Sequence, residues 1–314
     1  IIFAATGADI SLENLRITGN GTTDLNRVAV RVMDSSTLLD HVRIYGNGGT
    51  GLYAEASSVI ITNSQFKNNR KTGISINKSS LDVSDSDISQ NGYSGILASS
   101  SELSVRNVNI IGNTSYSGAG INTNYTNAII ERTLIAENKT QTGSTSAGGG
   151  LYFFASNSTK IINCTIVNNE ANVYAGGIFA YASSVVKIIN SILWGNNANG
   201  LPEIGSWSGA NVHVGYSNIR GGPSAQNALY NGVFTWYDNI LGADITGDNP
   251  SLDENYHLSA GSPGIDQGAA LYSMGDDLMV DMPAGSWNGA APDLGIHEFT
   301  GAVPAIVAYF TVLT

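Results

Sequence analysis

The sequence predicts an all-β chain wound as a right-handed parallel β-helix, a solenoid of about 22 residues per coil and eight to nine coils. Three observations predict it. Nearly the same phrase recurs, as "SQFKNNRKTGISI" at 64–76 and "SDISQNGYSGILA" at 86–98. Each recurrence carries three apolar positions at fixed offsets, and the enrichment in β-branched residues argues for strands, not helix pairs. An asparagine anchors every period: Asn20, Asn47, Asn69, Asn91, Asn113, Asn138, Asn169 and Asn196.

Three residues before each anchor stands Ile17, Ile44, Phe66, Ile88, Ile110, Ile135, Ile166 or Leu193, and eight before stands Leu12, Leu39, Ile61, Val83, Val105, Ile130, Ile161 or Ile188. After the anchor, a polar turn and a small residue, a third apolar column runs Val30, Leu52, Ile74, Ile96, Ile121, Leu151, Ile178 and Leu201. Three short strands per period, each turning one apolar residue inward, make a three-sided coil. Coils stacked about 4.8 Å apart give a rod on the order of 40 Å long, and right-handed winding is the expectation for parallel crossovers. Val212, Val214 and Ile219 offer a weaker ninth coil.

A second polar column, Asn14, His41, Asn63, Asp85, Asn107, Thr133, Asn163 and Asn190, fits the corner between two strands, because Asn tolerates positive φ. Stacked amides can also bond from coil to coil. Both columns are therefore expected to be scaffold.

The 314 residues carry a net charge of −11, unevenly placed. Residues 1–220 hold all 14 Lys and Arg against 14 acids, whereas 221–314 hold 11 acids and no Lys or Arg. This break divides a β-helix, 1–220, from an acidic cap, 221–314. No basic stripe exists to neutralise phosphates, so nucleic acid is not an expected partner. No apolar run is long enough for a membrane span. The lone Cys164 excludes an internal disulfide framework and is expected as a small buried hydrophobe. The opening "IIFAATGADI" is too short an apolar run for a signal peptide and is expected to be strand in a processed or excised chain.

The coils differ mainly after the anchor. Asn69 to Gly73 is four residues, but Asn113 to Gly120 is seven, Asn138 to Gly150 twelve and Asn169 to Gly177 eight. Insertions gathered on one edge of a solenoid mark its binding face. Tyr116 and Tyr174 lie in these loops, and Tyr152 and Phe179 follow inward residues by one, so the strand period points them outward. These four are the candidate carbohydrate-binding residues.

After Gly221 the period dissolves into "GDNPSLDENYHLSAGSPGIDQG" and "APDLGIHEF". On Asn249, Pro250, Tyr256, His257, Leu258, Ser262, Pro263, Ile265, Asp266, Gly268, Asp293, Gly295 and Glu298, this segment resembles the choice-of-anchor Q domain that ends many bacterial surface β-helix proteins of pectate-lyase-like type. It departs at Gly264, at Ile296-His297 and in a long insert around "MGDDLMVDMPAGSWNGA". The resemblance implies a secreted, modular, surface-attached protein without fixing one activity, since related β-helices include polysaccharide lyases, adhesins and structural proteins.

Asp244, Asp248, Asp253, Asp276, Asp277 and Asp281 supply hard oxygen ligands that would suit a structural calcium, and no other cofactor is called for. No catalytic residues are assigned. A β-helix lyase needs a basic side chain beside the uronate and a hydrolase needs converging carboxylates. Asp85 and Asp87 have only amides as neighbours in adjacent coils, Arg106 faces Glu131, and Lys160 stacks on Lys187, as Glu13 does on Asp40. The leading expectation is a noncatalytic extracellular or cell-surface module, structural or adhesive, binding polysaccharide or cell-surface glycan along the loop edge. The alternatives are a polysaccharide lyase or hydrolase, and a filament subunit that self-assembles through the apolar strands "IIFAA" and "AIVAYFTVLT" at the chain ends.

Overall fold

In the computed structural model, residues 3–19, 27–143, 146–242 and 248–301 are described. They form a parallel β-helix of about nine turns. Asn20, Asp244 and the terminal strand at 303–314 lie outside the described residues.

The register confirms the repeat column by column. Ile44, Phe66, Ile88, Ile110 and Ile135 pair in succession, and the column continues through Ile166 and Leu193 to Ile219. Leu39, Ile61, Val83 and Val105 do the same on the adjoining side, and that column runs through Val214 in the ninth coil to Trp236. Nearly all of these side chains are fully buried, so the core is one continuous apolar stack. The third column builds a ten-stranded parallel sheet. There Ile178 pairs with Ile204, not with Leu201, which sits in the preceding loop at φ 56°. The insertion before this strand moved the register by three residues, and hydrophobicity alone did not reveal it.

Seven anchors, Asn47 to Asn196, are buried and form one hydrogen-bonded ladder. Asn91 Nδ2 donates to Asn113 Oδ1 at 2.9 Å and to the Phe66 carbonyl at 3.0 Å, while its backbone N–H donates to the same Oδ1 at 3.0 Å. The amide thus ties its own coil to both neighbours. Close stacking also explains the small residue after the turn. A Cβ on Gly95 would lie 2.8 Å from the Gly120 carbonyl oxygen and 3.0 Å from Asn113 Nδ2.

The corner column is a row of left-handed residues: Asn14, His41, Asn63, Asp85, Asn107, Arg132, Asn163 and Asn190, at φ 43–55°. Arg132 holds the position that the sequence reading gave to Thr133. A β-branched side chain is penalised at positive φ, and Thr133 stands one place on, donating to the Glu131 carbonyl as Ser64 and Ser86 donate to Thr62 and Ser84.

The composition break at Gly221 is not the end of the coils. Asn227–Leu229, Val233–Trp236 and Ile240–Leu241 pair in parallel with the ninth turn. The irregular cap follows and packs on two strips of the solenoid. Leu258 and Leu294 cover Leu134, Val167 and Ile192, and a hairpin of Leu271–Met274 and Asp277–Asp281 covers Ile162 and Ile189. Asn190 bonds Ala269 twice, through Nδ2 to its carbonyl and Oδ1 from its N–H, and its own carbonyl accepts from Gly295.

Most of the motif residues quoted above do structural work. Asp266 accepts from the N–H groups of Ala290 and Ala291. Asp293 accepts from those of Asp266 and Phe299, and Glu298 from those of Asp293 and Asn288. A loop with so little regular structure needs such side-chain acceptors for its backbone donors.

Candidate functional site

The four predicted aromatics lie on or beside the outer face of the ten-stranded sheet, and the insertions after the anchors form a small parallel sheet along its edge. Three of the four meet. Phe179 stacks on Tyr152 with ring centroids 5.8 Å apart and on Tyr174 at 6.0 Å. Tyr116 stands apart, 55% exposed and packed edge-on against Tyr93.

Phe179 departs from the expectation of a solvent-facing ring: it points away from the core but is only 5% exposed. The adjoining loop brings Ala147, Ala175 and Tyr174 over it, and Gly205 in the next coil leaves the space its ring fills. Tyr152 is half-buried beside it, and that burial pushes its phenol up to about 12.

A second outward row carries the accessible rings. Phe154 pairs with Tyr181 and Tyr181 with Trp207, and Tyr125 and Tyr230 flank the two ends. Centroid distances are 5.3 Å for Tyr125–Phe154, 5.4 Å for Phe154–Tyr181 and 4.9 Å for Trp207–Tyr230. Tyr174 meets Trp207 edge-on at 4.7 Å, joining this row to the loop edge. Tyr125 is 64% exposed and Tyr230 70%. The signal for the row is in the sequence: Phe154, Tyr181 and Trp207 each follow an inward residue by three. Anchoring the last coil on Leu201 instead of Ile204 hid it.

On another side, the cap overhangs the solenoid and encloses a groove of about 820 Å³. Its solenoid wall carries Gln65, Asp87 and Asn109 in one register row. Its cap wall carries Glu254, Tyr256, His257 and His297. The two imidazoles meet edge-to-face at 4.1 Å, and the Tyr256 hydroxyl donates to Glu137 Oε1 at 2.5 Å. Burial, then the neighbouring His257, holds His297 below the usual histidine range, and burial together with Glu137 pushes Tyr256 up to about 12. Sequence reading missed this groove because its walls are more than a hundred residues apart along the chain. The one hint was His297, where the motif usually has Tyr.

Of the aspartates proposed for calcium, Asp244 is outside the described residues and the other five are held separately. Asp248 accepts from the Gly242 N–H, Asp253 accepts from Asn255 and His257 in its own turn, and Asp277 bridges Lys160 and Lys187 at 2.5 and 2.9 Å. Asp276 and Asp281 lie on the exposed side of the hairpin. Among the described residues no three His, Cys, Asp or Glu side chains are placed to hold a metal ion. The single Asp277 carboxylate thus offsets one of the two charges of the stacked lysines. Arg106 and Glu131 form the expected pair at 2.9 Å, and Asp40 accepts from Thr62 and Asn63 in the next coil.

The chain matches the family described as the right handed beta helix region over residues 2–110 and 28–240, and it belongs to that family. No curated protein matches it. A crystal structure of pectate lyase Pel9A is similar at a TM-score of 0.46 and 17% identity, covering 90% of this chain and 76% of that one.

Proposed function

We propose that the chain is a noncatalytic, extracellular β-helix module that holds a glycan at a cell surface or in a matrix. The observation that carries this reading is the accessible aromatic row on a rigid sheet, bordered by the inserted loops. Aromatic rings with polar tips bind the apolar faces and hydroxyl groups of sugars together. The C-terminal resemblance to the choice-of-anchor Q domain supports attachment to a surface. Among the described residues no Lys or Arg lines the groove beside Asp85, Asp87, Asn107 and Asn109, and a lyase of uronates would need such a cation to hold the carboxylates.

The test is prolonged incubation with acidic and neutral polysaccharides, reading retention and products together. Retention without unsaturated products or new reducing ends is the expected result. A second reading, a polysaccharide lyase or hydrolase, is favoured by the groove that sets Asp85 and Asp87 opposite His257 and His297. Product formation abolished by Asp87→Asn or His297→Ala would establish it in place of the first.

A further inference from the structure

Seven consecutive strands of the ten-stranded sheet, from Ile74–Asn77 through Ile96–Ser99, Ile121–Asn124, Leu151–Phe154, Ile178–Tyr181 and Ile204–Trp207 to Asn227–Leu229, contain no charged residue. Its outward positions carry the amides and hydroxyls of Ser75, Asn77, Ser99, Asn122 and Asn124 and then five aromatic rings, with Leu97, Gly205 and Leu229 among them. A half-buried tyrosine ordinarily gives its hydroxyl a partner. Here the hydroxyls of Tyr125, Tyr152, Tyr174, Tyr181 and Tyr230 make no hydrogen bond among the described residues, and none is sealed from solvent.

We infer that this face takes an uncharged, extended polysaccharide lying along the solenoid axis over Tyr125, Phe154, Tyr181, Trp207 and Tyr230; the inference rests on the glycan-binding reading and names its ligand class. The rings advance one coil at a time, so four steps span about 19 Å, and a linear chain can follow them. Tyr230 lies nearly parallel to Trp207, and Tyr125 stands edge-on to Phe154. The free phenols and the neighbouring amides then pair with sugar hydroxyls. A uronate chain would lose water from its carboxylates with no cation on these seven strands to replace it, and the net charge of −11 repels it at longer range. An amino-sugar chain would find no carboxylate on these strands.

The test is affinity electrophoresis of the full chain through gels containing a neutral β-glucan, a galactomannan, an arabinoxylan, polygalacturonate or chitosan. Retardation is expected with at least one neutral polymer and not with polygalacturonate, and any retardation by chitosan, a polycation that the net charge of −11 attracts, should be unchanged by Trp207→Ala. Trp207→Ala should weaken it at least tenfold and Tyr181→Phe, which keeps the packing and removes one hydroxyl, severalfold. Leu271→Ala, on the exposed side of the cap hairpin, should leave it unchanged, and circular dichroism checks that each variant is folded. Retardation by polygalacturonate alone, or by chitosan alone in a way that Trp207→Ala weakens, would overturn the ligand class while leaving glycan binding standing. Neutral binding that ignores Trp207 and Tyr181 would overturn the site, and retardation by none of the five would overturn both.

Discussion

At the scale of single residues, the anchor asparagines carry more than their size suggests. Asn113 accepts from the Asn91 N–H and Nδ2 and donates to Asn138 Oδ1 and the Ile88 carbonyl. Asn113→Ala leaves buried partners unsatisfied and is expected to cost on the order of 4 kcal/mol, read by urea denaturation. The ladder ends on an ionisable group: Asn196 Nδ2 donates to Glu203 Oε2, and burial raises this carboxyl from 4.5 to about 7. Between those two values the folded chain keeps a proton that the unfolded chain has released, so stability falls as pH rises from about 4.5 to about 7 and is level on either side. The full effect is roughly 3 kcal/mol. Glu203→Gln keeps an acceptor for Asn196 and should flatten that slope in melting curves taken from pH 4 to pH 8. The anchors were legible in the sequence because each coil repeats them. Glu203 was not, since it replaces the repeated asparagine only once and stands seven residues beyond Asn196.

At the scale of elements, the sequence showed each strand's inward residue but not always its register. Period and hydrophobicity define a coil well where its length is constant, as between Gly51 and Asn113. Where a loop lengthens, an apolar residue inside it, such as Leu201, can stand in for the true core residue, Ile204. Through Gly177 a glycine marks the strand start, because a neighbouring carbonyl fills the place of its side chain, but in the next coil Glu203 holds that place and Gly200 stands before Leu201. Gly95→Ala is expected to destabilise the fold by about 2 kcal/mol, measured by thermal unfolding. The cap hairpin was not legible, since the ion pairs of Asp277 with Lys160 and Lys187 cross about a hundred residues. Removing a partly buried bridge with two cations should cost about 1–2 kcal/mol. Limited proteolysis should therefore cut Asp277→Ala within 270–285 sooner than the unchanged protein.

At the scale of the whole molecule, the repeat makes a straight, rigid support. The long loops give it one distinctive edge, and the cap gives it one groove. The charge break at Gly221 pointed to the cap but fell about twenty residues early, because the last coil shares the cap's lack of Lys and Arg. The proposed glycan face follows from coils being identical inside and different outside: Phe154, Tyr181 and Trp207 share a row only because the core columns beneath them are in register. The most direct measurement is a crystal structure of the chain soaked with a neutral oligosaccharide that it retains. The account predicts an intact chain of sugars along Tyr125, Phe154, Tyr181, Trp207 and Tyr230. Sugar density in the groove between Asp87 and His297 instead, or a cleaved chain at either place, would contradict it.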